Sequence, residues 1–202
     1  EAGQVLPFST GVIGQRLPVV RMVAAAPAAH ADLRADGWLD AMRAIMTTDT
    51  VGKGATRRVA TSQGEVTVTG IAKGVGMIHP NMATMLAYVG TDAPLSPAAT
   101  QAALQTAVNR SFNCVTVDGD TSTNDACVLF ATARAGSRDI EVGDVAQRIA
   151  HAQEIVAGIG LRQGLGRDHA LRRGALEHAL QERASPLKYS SQEVTRNAQT
   201  RI

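Results

Sequence analysis

Hydrophobic and polar positions change their spacing several times along the chain, and each change predicts an element. Residues 19–33 form an apolar stretch that predicts a helix interrupted near Pro27. Residues 38–46 repeat apolar side chains at helical spacing before a run of threonines, which predicts a second helix. Residues 57–74 alternate on both sides of a polar turn at 62–65, which predicts a β-hairpin.

The second half of the pattern continues with mixed elements. An apolar run predicts a strand from about residue 84 to 89, and a helix follows with Ser96 as its N-cap and Pro97 as its first residue. A polar loop at 118–125 lies between two apolar, strand-like runs, and helical spacing returns at 142–160. Because strands and helices do not alternate regularly, the pattern favours an α+β fold over a doubly wound sheet.

Composition narrows the classes of protein. The 202 residues are 45% hydrophobic, and 20 basic residues nearly balance 18 acidic ones. With aromatic residues at only 3%, this balance argues against a nucleic-acid partner. No apolar run reaches membrane-spanning length and no signal peptide is visible, so no membrane partner is expected. Two cysteines without metal-type spacing predict a reduced, cytoplasmic location.

Thr84 is the first candidate for chemistry, since it stands between a glycine-containing loop and an apolar strand. A threonine hydroxyl needs an adjacent base, and its own α-amine can serve once the preceding bond is cut. Small Ala83 and the preceding Pro80 and Asn81 would expose that bond. The pattern alone favours the alternative, a β-branched strand residue that packs or caps.

Three other segments carry candidate polar groups. Thr10 and Gly11 lie in a turn whose N–H groups could form an oxyanion hole, or an ordinary glycine turn. Thr47 belongs to "MTTDT", which could bind a polar ligand or satisfy the last carbonyls of a helix. Lys73 could meet a carboxylate as a point charge, or be a solvated lysine at the end of the hairpin.

The acidic segment "DGDTSTND" at 118–125 has spacing similar to a calcium loop. It lacks the later bidentate glutamate, because the chain becomes apolar at Ala126. A hydrogen-bonded turn network that includes Asn124 is the favoured interpretation. The five histidines form no ligand pair, so the sequence predicts no metal site.

Taken together and in order, five segments resemble the ornithine acetyltransferase family, the bifunctional glutamate N-acetyltransferases of arginine biosynthesis and their relative from the clavulanic acid pathway. The segments are "VLPFSTGVIG", "AMRAIMTTDT", "GIAKGVGMIHPNMATML", "TDA" and "VDGDTSTND". The resemblance extends over about residues 5–155. It implies an N-terminal-nucleophile-like αββα fold, of the type shared with the aminopeptidase DmpA, here present only in part.

The resemblance also implies site residues and chemistry. Self-cleavage would fall at Ala83–Thr84, Thr84 would be the nucleophile, and Thr10 and Gly11 would form the oxyanion hole. Thr47 and Lys73 would bind substrate together with Thr84. The implied reaction moves acetyl from N-acetylornithine to glutamate without a cofactor, with acetyl-CoA as a further donor, in an assembly of two copies of each cleaved subunit.

The resemblance divides the chain into three parts. Residues 1–83 would belong to the family's first subunit, residues 84–156 would begin the second, and residues 157–202 do not match. Family members are longer at both ends, so the chain is expected to be a truncated member. Two alternatives stay open: an aminopeptidase or amidase of the same fold, or an inactive truncated remnant.

Overall fold

The computed structural model describes residues 5–61, 63–78, 85–115, 118–120, 122, 124–136 and 199–200. In these residues a five-stranded sheet has the order β1-β2-β3-β4-β5. Its strands are β1 (Lys53–Thr61), β2 (Gly64–Lys73), β3 (Leu86–Thr91), β4 (Ala126–Ala131) and the two-residue β5 (Gln199–Thr200). Three helices accompany it, α1 (Val19–Ala31), α2 (Trp38–Ala44) and α3 (Pro97–Arg110), with a short 3-10 helix at Phe112–Cys114.

The predicted hairpin is confirmed by β1 and β2, but its turn is shorter than the predicted 62–65, since Gly64 already belongs to β2 and pairs with Thr61. Gly64 has a φ of 122°, a backbone conformation that favours glycine. β3 adds antiparallel to β2, whereas β3 and β4 run parallel with Leu86 opposite Ala126. The last strand pairs antiparallel with β4. This mainly antiparallel sheet confirms the α+β class, and the αββα arrangement stays a prediction.

Helices pack on both faces of the sheet because its strands are apolar on both sides. Val68, Val89 and Leu129 lie in one buried cluster with Leu104 of α3. On the other face Ile71 packs with three buried side chains of α2, namely Trp38, Leu39 and Met42. Lys53 at the start of β1 and Lys73 at the end of β2 are buried as well, and this is where the polar site lies.

The predicted N-cap of α3 is confirmed. Ser96 Oγ accepts a hydrogen bond of 3.2 Å from the backbone N–H of Ala99, and Pro97 is the first helical residue. The apolar face predicted for this helix, Leu104, Ala107 and Val108, is fully buried. These outcomes follow from local capping chemistry and helical spacing.

The predicted interruption of α1 at Pro27 is wrong, because the helix runs from Val19 to Ala31 with this proline inside. Proline supplies no N–H to the carbonyl of Val23, four residues earlier. The helix has no buried residue and Val23 is 67% exposed, so water can satisfy that carbonyl.

Other predictions fall outside the described residues. These are the helix at 142–160 and most of the unmatched part at 157–202, together with Ala83, Thr84 and the first residues of the strand that begins at about 84. The rest of that strand is present as β3. Among the described residues, no helix has both the length and the apolar character needed to span a membrane.

Candidate active site

Three residues that are far apart in the sequence meet at one point. Lys73 Nζ lies 3.2 Å from Thr47 Oγ1 and 3.4 Å from Thr10 Oγ1, and it donates a hydrogen bond to each hydroxyl. The separations along the chain are 26 and 63 residues. The fold therefore assembles a lysine between two threonine hydroxyls.

The position of Lys73 follows from the sheet. It is the last residue of β2 and pairs with Leu86, the first residue of β3. Its residue surface is only 3% exposed, so the alternative of a solvated lysine at the hairpin end is wrong. A buried lysine needs partners for its ammonium group, and the two threonines supply them.

The segment that carries Thr10 is anchored by an aromatic pair. The rings of Phe8 and Tyr88 meet edge to face with centroids 5.2 Å apart. Such pairs favour this geometry because the positive ring edge meets the negative ring face. Since Tyr88 lies in β3, the contact holds the segment from residue 5 onward against the sheet beside Lys73.

The surroundings of Lys73 hold the pKa of its ammonium group below its usual value. Burial lowers its pKa, the charge of Asp49 opposes this, and the charge of Lys53 lowers the pKa further. Asp125 also acts on Lys73 and raises the pKa. The site therefore holds two lysines and two carboxylates whose charges act on one another.

A buried ion pair supports the threonine on one side of Lys73. Lys53 Nζ lies 2.5 Å from Asp49 Oδ1, and the side chains are 5% and 1% exposed. The same carboxylate accepts the N–H of Gly74 at 2.8 Å and the N–H of Thr47 at 3.4 Å. Burial tends to raise the pKa of Asp49, but the bond from Lys53 and these N–H groups hold it below its usual value.

We predict that Asp49→Asn destabilises the protein by roughly 3 to 5 kcal/mol, because it leaves the buried charge of Lys53 uncompensated. Since the folded pKa of Asp49 is lowered, its contribution is complete above the unfolded pKa and disappears as pH falls through the folded pKa. Urea unfolding measured from neutral to acid pH checks both points. As a control, Asp36→Asn removes an exposed partner of Arg34 and should cost less than about 1 kcal/mol. Equal losses in the two variants would contradict this account.

The acidic loop at 118–125 forms the predicted hydrogen-bonded network. Asp118 Oδ2 accepts the N–H of Met77 at 2.6 Å, and Asp118 Oδ1 accepts the N–H of Ile78 at 3.0 Å. Met77 has a φ of 56°, rare for a residue other than glycine, and this carboxylate holds it there. Asn124 Nδ2 donates to the carbonyl of Ser9 at 3.2 Å. The loop thus fixes both the glycine-containing segment and the neighbour of Thr10.

Asp125 ends the same loop and holds the start of β3. Its Oδ1 accepts the N–H of Met85 at 2.8 Å, and the N–H of Ala126 bonds the carbonyl of Met85 at 3.0 Å. Its Oδ2 is buried, and among the described residues it has no hydrogen-bond partner. Burial raises the pKa of Asp125 to about 7, while the Met85 N–H and the charge of Lys73 act in the opposite direction.

The structure brings together Thr10, Thr47 and Lys73 from the predicted set, and Gly11 follows Thr10 directly in the chain. Thr84, the predicted nucleophile, and Ala83 lie outside the described residues. Met85, which follows Thr84 directly in the chain, is described. In the described part of the chain, no cluster of three or more histidine, cysteine, aspartate or glutamate side chains is arranged to hold a metal ion.

Sequence reasoning missed three charged residues of the site, Asp49, Lys53 and Asp125. Asp49 lies inside the "MTTDT" segment, and Asp125 ends the acidic loop. A charged residue at the border of an apolar strand is the signal that could have marked Lys53 and Asp125, because charges are rarely buried without a partner.

Helices pack on both faces of a mixed sheet, and a buried lysine at the end of β2 contacts two threonine hydroxyls from loops. These features define an α+β protein with a polar site of the kind that enzymes use. The family model described as "ArgJ family" matches residues 1–172. The chain belongs to the ArgJ family.

Two curated relatives extend this finding. The chain is 60% identical over 142 residues to the arginine biosynthesis bifunctional protein ArgJ of Methylococcus capsulatus, covering 70% of this chain and 35% of the relative. It is 52% identical over 140 residues to the protein of the same name from Pseudomonas syringae pv. tomato, covering 69% and 35%. The chain therefore spans about a third of the length of these relatives.

Among solved structures, that of the PH0078 protein from Pyrococcus horikoshii OT3 aligns with this chain. The alignment covers 63% of this chain and 46% of that one, at 18% identity and a TM-score of 0.36. A likeness at this level is too low to define the fold.

Proposed function

We propose that this chain carries part of a glutamate N-acetyltransferase active site, which moves an acetyl group from N-acetylornithine to glutamate. The observation that supports it best is the meeting of Lys73 with Thr10 and Thr47, because all three belong to the segments that resemble the acetyltransferases. The names of the two relatives, bifunctional proteins of arginine biosynthesis, agree with this reaction.

In this proposal Lys73 binds the α-carboxylate that donor and acceptor share. Its buried ammonium group donates hydrogen bonds to two neutral hydroxyls, so a ligand carboxylate would add a direct charge-assisted hydrogen bond at that point. The neighbouring Asp49 is already paired with Lys53 and is thus a weaker competitor for Lys73. One carboxylate-binding lysine can serve both halves of the reaction.

Thr84 is the proposed nucleophile after cleavage of the Ala83–Thr84 bond. Its Oγ1 would form a bond to the acetyl carbonyl carbon, and its α-amine would take the hydroxyl proton. The bond from that carbon to the ornithine nitrogen would then break, with the proton returned to the departing amine. The glutamate amine would attack the acetyl ester and restore Thr84. The N–H groups at Thr10 and Gly11 would stabilise both oxyanions.

The proposal also includes what the resemblance implies about the whole protein. No cofactor takes part, acetyl-CoA is a further acetyl donor, two copies of each cleaved subunit assemble, and the location is cytoplasmic. We propose these four properties for the longer family members as much as for this chain.

The experiment that tests the function supplies purified protein with N-acetylornithine and glutamate, and in parallel with peptide amides. We expect acetylglutamate and ornithine in equal amounts and no peptide hydrolysis. Hydrolysis of peptide amides without acetyl transfer would favour the aminopeptidase alternative and contradict the proposal.

The oxyanion-hole assignment makes a separate prediction. In the proposed oxyanion hole the Thr10 hydroxyl donates beside the backbone N–H groups. Thr10→Ala removes only that hydroxyl and should lower kcat by about 10²- to 10³-fold, the usual loss for one oxyanion donor. KM should change much less, since the substrate carboxylate is assigned to Lys73. Steady-state kinetics with both substrates measures the two effects. A raised KM with normal kcat would instead assign Thr10 to ground-state binding.

A further inference from the structure

Self-cleavage poses a chemical problem that acetyl transfer does not. During acetyl transfer the free α-amine of Thr84 can act as the base. Before cleavage that nitrogen belongs to the Ala83–Thr84 amide, which is not basic. A different group must take the proton of the Thr84 hydroxyl in the first step.

Asp125 contacts the backbone directly after Thr84. Its Oδ1 binds the N–H of Met85 at 2.8 Å, and this N–H belongs to the peptide bond between Thr84 and Met85. The neighbouring Ala126 N–H binds the carbonyl of Met85 at 3.0 Å. Met85, the residue that follows Thr84, is thereby held at both of its backbone polar groups: its N–H bonds to Asp125 and its carbonyl to Ala126.

The second oxygen of Asp125 is the unusual feature. Asp125 Oδ2 is buried, and of the buried polar side-chain atoms in the described residues it is the one without a hydrogen-bond partner. Leaving a buried carboxylate oxygen unsatisfied costs free energy, and such atoms call for an explanation such as a catalytic role. Asp118, in contrast, uses both oxygens to hold backbone N–H groups.

We propose that Asp125 is the proton acceptor for self-cleavage at Ala83–Thr84, an inference that rests on the proposed function. Asp125 Oδ2 takes the proton as Thr84 Oγ1 bonds to the Ala83 carbonyl carbon. The bond from that carbon to the Thr84 nitrogen breaks, and the nitrogen receives the proton from Asp125. Water then hydrolyses the resulting ester, giving the Ala83 carboxylate, the free Thr84 hydroxyl and the free α-amine.

The surroundings of Asp125 suit this role. Its pKa, raised to about 7 by burial, lies where a carboxylate can both accept and return a proton near neutral pH. The charged group that acts on it from β2 is Lys73, whose own field includes Asp49 and Lys53. The nearby Cys127 of β4 is fully buried, and burial raises the pKa of its thiol to about 12, so it stays neutral.

The test uses the whole chain, residues 1–202, and follows cleavage by intact mass. Asp125→Asn keeps a carbonyl oxygen for the Met85 N–H and removes the proton acceptor. We expect it to slow cleavage at least about 10²-fold, the usual contribution of a general base. The matched control is Asp120→Asn, an exposed carboxylate of the same loop, which should cleave like the unchanged chain.

The pH profile separates proton transfer from a purely structural role. A proton acceptor works only when deprotonated, so cleavage of the unchanged chain should accelerate as pH rises through about 7. This inflection should persist in Asp120→Asn and disappear in Asp125→Asn. If Asp125→Asn does not fold, absence of the inflection in the unchanged chain still overturns the inference.

The outcomes distinguish the two proposals. Slow cleavage in Asp125→Asn alone supports the proton acceptor. Cleavage of Asp125→Asn at the unchanged rate and pH profile overturns this inference and leaves the acetyltransferase proposal standing. If the unchanged chain and Asp120→Asn both stay whole at every pH, the self-cleavage within the proposed function fails, and this inference fails with it.

Discussion

The Thr84→Ala variant should remain a single chain of 202 residues, whereas the unchanged protein should separate into residues 1–83 and 84–202. Removing the hydroxyl removes the only atom that is proposed to attack both the Ala83 carbonyl and the acetyl donor. Losing the nucleophile of a covalent mechanism costs about 10⁶-fold in kcat in a serine protease, so acetyl transfer should fall below detection. Intact mass and acetylglutamate formation measure the two losses.

The matched control is Thr84→Ser, which keeps the hydroxyl and removes one methyl group. We expect it to cleave, at a reduced rate, and to retain part of the transfer activity. If Thr84→Ala also separated into the same two pieces, another residue would be the nucleophile. If Thr84→Ser were as inactive as Thr84→Ala, the methyl group would be essential too, and loss of the hydroxyl would no longer explain the inactivity of Thr84→Ala.

The Lys73→Met variant should lose about 10²- to 10³-fold in kcat/KM for both N-acetylornithine and glutamate. A charge pair that is buried on binding loses about 2 to 5 kcal/mol when one partner is removed, which corresponds to roughly 30- to 5,000-fold and brackets this expected loss. The loss should affect both substrates because each carries the α-carboxylate assigned to Lys73. Methionine has a similar length, so it fills the space between Thr10 and Thr47.

Two measurements keep this prediction specific. The melting temperature of Lys73→Met should change little or rise, because this variant no longer buries an ammonium group whose ionisation burial disfavours. Lys73→Arg keeps the charge and should lose less than Lys73→Met for both substrates. An effect confined to one of the two substrates would contradict a shared carboxylate site.

Local chemistry made part of the fold predictable. The hairpin of β1 and β2, the Ser96 cap and the apolar face of α3 depend on residues close in the sequence, and all are confirmed. The path of α1 through Pro27 was not predictable, because it depends on the exposure of the carbonyl at Val23. The spacing of apolar residues identifies such a helix, but it does not show which backbone carbonyls can hydrogen-bond to water.

The candidate site was likewise predictable in part, where it depends on local sequence and not on tertiary contacts. The candidate residues Thr10, Thr47 and Lys73 could be proposed from the segments that resemble the acetyltransferases. That they meet depends on the pairing of Lys73 with Leu86 and on the ring contact that holds residue 8 against β3, which are tertiary facts. Spacing does not assign the charged residues Asp49, Lys53 and Asp125 to the site, because burial of their charged atoms distinguishes them from ordinary surface charges. The one sequence signal is the position of Lys53 and Asp125 at the border of an apolar strand.

Trapping the acyl-enzyme tests the central claim most directly. The protein would be incubated with N-acetylornithine in the absence of glutamate, and the two predicted pieces would be weighed. We predict one added acetyl group on residues 84–202, located at Thr84 by fragmentation and lost when glutamate is added. Acetyl on residues 1–83, or at a residue other than Thr84, would contradict the account.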